Sequence, residues 1–212
     1  MTTAVVLGYG AIVVANFIQE QKEKRRLSRF FSPDVVKEIV RHKDDVNLTS
    51  IRRRITVLFS DIRGFTSMSE KMSPEDVVAF LREYLTVMSA AVFEHGGTVD
   101  KYIGDAIMAL YNVPFDQPDH ADQAVLTALA FQERIGPLAA RFKERYGGDL
   151  RCGVGINTGD AVVGTIGSEQ RLEYTAIGDT INLGSRLESI TKDFGVGIVI
   201  SESTYKELRG GF

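Results

Sequence analysis

From Arg54 to Tyr205, short runs rich in β-branched residues alternate with long segments of helical period, and this alternation restricts the fold more than any other feature. Ile55-Thr56-Val57-Leu58-Phe59, preceded by Arg52-Arg53-Arg54, reads as a buried strand. Ser73-Pro74-Glu75-Asp76 opens a helix whose apolar positions Val77, Val78, Phe80, Leu81, Leu85, Met88 and Val92 share a face until Gly96-Gly97 ends it. Residues 98–102 and 106–111 read as short strands around the tight turn Ile103-Gly104-Asp105. A second long helix covers about 119–146 and closes at Gly147-Gly148. Residues 150–156 and 161–166 are expected to be two strands joined through Thr158-Gly159, with a polar loop after them. A helix over 179–193, a strand over 197–200 and a final helix from Ser201 complete the chain. The order βαββαβ predicts an α+β, ferredoxin-like sandwich with an appended αβα portion, preceded by an N-terminal helix.

Composition sets the outer limits. With 212 residues, 44% hydrophobic and 25% charged, the chain carries enough apolar mass for one good core. A net charge of −3 excludes a general basic field for gripping nucleic acid, so any phosphate handling must be local. Cys152 stands alone, which excludes an intrachain disulfide framework and a multi-cysteine zinc site and fits a reducing compartment.

Residues 1–19 contain no charged side chain, and Lys22, Lys24, Arg25 and Arg26 follow at once. This pattern reads as the end of a transmembrane helix with a cytoplasmic flank, placing the rest of the chain in the cytoplasm below the inner membrane. A buried or dimer-forming helix is the alternative. Ala4-Val5-Val6-Leu7-Gly8-Tyr9-Gly10 also has the look of a dinucleotide-binding turn, but Val13 stands where the third glycine belongs. Residues 20–50 form a helical connector in which Ser32-Pro33 starts a short helix, and the main domain covers 51–212.

Three stretches carry chemistry. Asp61 ends the first strand, and the turn through Gly64, Phe65 and Thr66 sets free backbone N–H groups beside its carboxylate, a place for a metal ion and phosphate together. Asp105 stands at the tip of the hairpin. Each acid alone is most often a turn residue. Together, if the hairpin pairs beside the first strand, they converge, and two hard carboxylates with few other ligands suit Mg²⁺. In the third stretch Asn182 and Arg186 stand four apart on one helix face and can reach one ligand, or else form a solvated face with Arg186 paired to Glu188 or Glu169.

These stretches, FSDIRGFT, DKYIGDAIMA and YTAIGDTINLGSRLE, resemble the catalytic domain of the class III adenylate and guanylate cyclases, over roughly 51–212. The resemblance implies conversion of a nucleoside triphosphate to a 3′,5′-cyclic monophosphate and pyrophosphate, with two divalent cations, Mg²⁺ or Mn²⁺. It implies a homodimer whose active sites are shared between protomers, acting in signal transduction. Asp61, Asp105 and the Ile62 carbonyl resemble the metal ligands, and Gly64, Phe65 and Thr66 the substrate-binding turn. Lys101 and Thr175 fall on the purine-selecting pair and point to ATP: Lys donates to adenine N1, and a threonine hydroxyl can accept from the N6 amine. Asn182 resembles the ribose-positioning residue and Arg186 the transition-state arginine. The alternatives are a guanylate cyclase, in which Glu and Cys are typical at those two positions, and an inactive nucleotide-binding or dimerising module. A diguanylate cyclase is disfavoured because its Gly-Gly-Asp/Glu-Glu-Phe hairpin is replaced by Ile103-Gly104-Asp105-Ala106. Neither His95 nor His120 lies in the motifs, so no general base stands out. Family members continue with a further hairpin whose lysine contacts the triphosphate. This sequence stops at Gly210-Gly211-Phe212, and the expectation is that the hairpin lies beyond it.

Overall fold

The protein is described by a computed structural model over residues 17–19, 21–22, 50–168 and 171–210. The expected membrane segment 1–19 and the connector 20–50 thus lie almost wholly outside the described residues. Within them, 17–19 and 21–22 are helical and exposed, and no helix is long and apolar enough to cross a membrane.

A six-stranded sheet is organised around β1 (Ile51–Ile62), which runs antiparallel between β3 (Ala106–Tyr111) and β4 (Cys152–Ser168). β2 (Thr98–Ile103) pairs outside β3, so the order β2-β3-β1-β4 is the ferredoxin-like one that the sequence predicts. The period of two along β1 divides its side chains between two cores. On one face Leu58 and Ile62 meet α2 (Pro74–Glu94) and α3 (His120–Tyr146), whose Phe80, Tyr84, Met88, Phe131 and Phe142 fill the larger core. On the other face Ile55, Val57 and Phe59 pack with Met108, Leu110, Val163 and Ala176. Ser73 caps α2 through its hydroxyl, which accepts from the Asp76 N–H, and Pro74 takes the first turn, where no donor is needed. Between β1 and α2, Gly64 adopts a left-handed φ of 68° and starts the short helix α1 (Phe65–Ser69).

Two expectations are corrected. β4 is one continuous strand, with no turn at Thr158-Gly159, because β1 pairs along it from Ile51↔Val163 to Ile62↔Cys152. The expected polar loop after Ile166 is β5 (Arg171–Ile177), antiparallel to the end of β4 from Val162↔Ile177 to Ser168↔Arg171. The appended αβα portion is present as α4 (Asp179–Phe194), β6 (Ile198–Ile200) and α5 (Glu202–Glu207), with β6 parallel to β4. β4 therefore meets β6 over its first half and β5 over its last.

Gly159 is a glycine for a different reason from the one its sequence context suggests. α4 lies against β4 so closely that a Cβ at Gly155 would stand 2.1 Å from the Glu188 backbone nitrogen, and one at Gly159 2.6 Å from Thr180 Oγ1. Gly184 returns the fit from the helix side, where a Cβ would lie 2.8 Å from Val57. Glycine on both surfaces allows a helix-to-sheet approach that any side chain would prevent.

Candidate active site

Asp61 and Asp105 come together. The end of β1 lies beside the β2–β3 hairpin because β1 pairs with β3, and the Ile62 N–H donates to Asp105 Oδ2 at 3.2 Å. Both acids are half-buried. Burial first, and then the hydrogen bond and charge of Asp61, raise the pKa of Asp105 to about 7. Two oxygen-donor groups brought together, one of them holding its proton for want of positive charge, are chemically suited to a hard divalent cation. Among the described residues no group of three or more His, Cys, Asp and Glu side chains forms a metal cage, so such a cation would complete its shell with water or phosphate oxygen. Of the adjoining turn, Phe65 packs its ring on Phe80 with centroids 6.0 Å apart, and Gly64 and Thr66 are exposed.

Asn182 and Arg186 lie on the exposed surface of α4 and line an open hollow of about 400 Å³ with Asn157, Thr158, Asp179 and Ser203. Among the described residues Arg186 forms no ion pair with Glu188, and Glu169, the other expected partner, lies outside them. Glu188 instead has its pKa raised, by burial and by the charge of Asp61, which places it on the Asp61 side of the helix. Arg186, two residues before Glu188, is rotated about 200° around the helix axis from it. Within one chain, therefore, Arg186 stands across α4 from the flank on which Glu188 meets the charge of Asp61.

The third group joins strands from opposite ends of the pairing order. Lys101 Nζ on β2 donates to Glu173 Oε2 on β5 at 3.1 Å, and Thr175 Oγ1 donates to Asp100 Oδ2 at 2.7 Å. The β4–β5 hairpin thus arches across the sheet face to reach β2. A β-bulge between Val99 and Lys101 inserts Asp100 into β2 without a partner in β3, so Asp100 and Lys101 both lie close to β5. Partial burial works against the Lys101 charge, but Asp100 and Glu173 outweigh it and raise its pKa. The sequence motif contains Asp100 without marking it, since the bulge that aims it has no sequence signature of its own; Glu173 falls in what reads as a loop.

The histidines are engaged elsewhere. His120 Nδ1 lies 2.7 Å from the Thr56 hydroxyl, and His95 Nδ1 is 3.2 Å from Gln123 Oε1.

Residues 49–212 match the family model described as the adenylate and guanylate cyclase catalytic domain. Adenylate cyclase 1 of Rhizobium meliloti (strain 1021) is 42% identical over 158 residues, which are 74% of this chain and 24% of that protein. The chain thus spans about a quarter of the length of this curated relative. Among solved structures, the guanylyl cyclase Cya2 superposes with a TM-score of 0.70 at 39% identity, covering 76% of this chain and 81% of that one. The adenylyl cyclase CyaB from P. aeruginosa gives 0.69 at 37%, covering 74% and 81%. Solved cyclases named for either substrate share this fold, and the match takes in every strand and helix that carries the acids, Lys101, Thr175, Asn182 and Arg186: the chain belongs to the adenylate and guanylate cyclase catalytic domain family.

Proposed function

We propose that this domain is an adenylate cyclase, converting ATP to 3′,5′-cyclic AMP and pyrophosphate in signal transduction, and that it works as a homodimer with sites shared between protomers. The observation that carries the shared site is the placement of Asp61 and Arg186 on opposite flanks of α4. A second copy, meeting this one head to tail, can bring its Arg186 flank to the acid pair of the first.

Asp61 and Asp105, with the Ile62 carbonyl, would hold the divalent cations, Mg²⁺ or Mn²⁺, and Gly64, Phe65 and Thr66 would receive the triphosphate. Cations bound there supply Lewis-acid activation of the ribose 3′-hydroxyl and neutralise the polyphosphate. Lys101 and Thr175 bind the purine, Lys101 as donor and Thr175 as acceptor. Asn182 orients the ribose so that its 3′-oxygen attacks the α-phosphorus in line; the new O3′–P bond forms as the bond to the bridging oxygen breaks and pyrophosphate leaves. Arg186 stabilises the charge that develops on the α-phosphoryl oxygens, its exposed guanidinium having no competing carboxylate among the described residues. With His95 and His120 engaged, the 3′-hydroxyl proton passes to solvent or to a substrate phosphate.

Lys101 favours ATP over the guanylate alternative, because guanine presents an N1–H donor to a side chain that can only donate. The charge-free residues 1–19 followed by four cations support a membrane anchor with the catalytic domain on the cytoplasmic side. Incubation of the purified protein with ATP or GTP and Mn²⁺, followed by chromatography, tests the assignment: cyclic AMP and pyrophosphate in equal amounts support it, and cyclic GMP as the main product overturns it.

A further inference from the structure

Thr175 leaves one question of specificity open. A threonine hydroxyl carries one proton and two lone pairs, so by itself it can accept from an adenine amine or donate to a guanine carbonyl. The hydroxyl alone does not choose.

The side chain of Asp100 decides how that hydroxyl is used. Asp100 is only 7% exposed, on the strand bulge beside Lys101, and its Oδ2 takes the Thr175 proton at 2.7 Å. Ionised, Asp100 can only accept: burial raises its pKa, and the Thr175 hydroxyl and the Lys101 charge oppose the rise. The proton of Thr175 is thereby committed inward, and the lone pairs are left to face a ligand. The other carboxylate oxygen, Oδ1, is buried with the Lys101 ammonium 3.5 Å from it and the Ala176 N–H beside the carboxylate. A buried carboxylate is costly, and a fold keeps one only where something offsets it. Here the same carboxylate holds Lys101 by charge and Thr175 by hydrogen bond, two residues from opposite ends of the sheet.

We propose that Asp100 is a specificity-determining positioning residue: it fixes Thr175 as a hydrogen-bond acceptor and Lys101 as the donor next to it, so that the pair reads a 6-aminopurine. This rests on the reading that Lys101 and Thr175 face the purine. Asp100 itself touches no substrate. In Asp100→Asn the shape is kept, but the amide N–H₂ can donate to Thr175, releasing the hydroxyl proton toward the ligand.

The test compares ATP, GTP and purine riboside triphosphate, which lacks the 6-amino group, as kcat/KM in the full chain and three variants. In Asp100→Asn the preference for ATP over purine riboside triphosphate falls about tenfold, the value of one hydrogen bond, and the ATP-to-GTP ratio falls with it. Thr175→Val shows the same loss, Thr175→Ser retains the preference, and the double variant of Asp100→Asn with Thr175→Val shows no further loss, since both remove one device. A merely structural role for Asp100 would lower all three substrates by one factor and leave the ratios unchanged, and that result overturns the proposal. Loss of the preference in Thr175→Val but not in Asp100→Asn would also overturn it, while leaving the base-site reading intact. An unchanged ratio in Thr175→Val would overturn the base-site reading and this proposal with it.

Discussion

The carboxylates of Asp61 and Asp105 meet at the end of the central strand, with Asp105 raised to a pKa of about 7 by burial and by the acid beside it. The native protein therefore holds a proton at Asp105 that the unfolded chain loses near its ordinary value of 3.8. Stability must fall as pH rises between these two values, because the native state binds more protons throughout that window. In EDTA, the melting temperature is expected to fall from pH 5 to pH 8, and saturating Mn²⁺ is expected to remove most of the fall by favouring the ionised pair. Asp105→Asn should lack this component. Identical slopes in the wild type and in Asp105→Asn would show that Asp105 does not hold this proton.

The approach of α4 to β4 makes a second prediction. Gly155→Ala places a methyl group 2.1 Å from the backbone nitrogen of Glu188, which cannot rotate away as a side chain could. The helix must move as a body, at a cost of about 3 kcal/mol or more. Urea denaturation measures it. A loss below about 0.5 kcal/mol, the range of an ordinary surface change, would mean that the contact is not this close in solution.

Lys101 gives a third. Lys101→Met keeps the length of the side chain while removing the proposed donor to the base and the positive charge 3.5 Å from Asp100. The expected result is a rise in KM for ATP of about tenfold to a hundredfold, the cost of a lost charge-assisted hydrogen bond, with a smaller change in kcat. Steady-state kinetics separate the two. A variant that lost kcat alone, at unchanged KM, would place Lys101 in the chemical step rather than in base binding.

Much of this arrangement is legible in the sequence, and the exceptions have physical causes. Ile55 to Phe59 reads as a buried strand because both faces of β1 are covered, and the acids stand out because they end apolar runs. Gly159 misleads: glycine marks a turn or a close approach equally well, and only the helix packed above it tells which. β5 is missed because Leu172, Glu173, Tyr174 and Thr175 alternate weakly and lie between glycines, as a loop would. The site divides in the same way. Asn182 and Arg186 share a helix face at the spacing of four, which any helix imposes. That this face turns away from Asp61, and that a bulge aims Asp100 at Thr175, depends on packing between segments distant in sequence.

The proposed sharing of the active site between protomers rests on the placement of Arg186 across α4 from the acid pair, and one experiment tests it together with the activity. Asp61→Asn and Arg186→Ala chains are each assayed alone for Mn²⁺-dependent cyclic AMP formation from ATP, then mixed in equal amounts and assayed again. Each variant alone is expected to be nearly inactive. In the mixture about half of the dimers are heterodimers with one of two sites intact, so about a quarter of the wild-type rate should return. A mixture no more active than its components, beside a wild-type protein that makes cyclic AMP, would contradict the shared site; a wild-type protein that makes none would contradict the cyclase assignment itself.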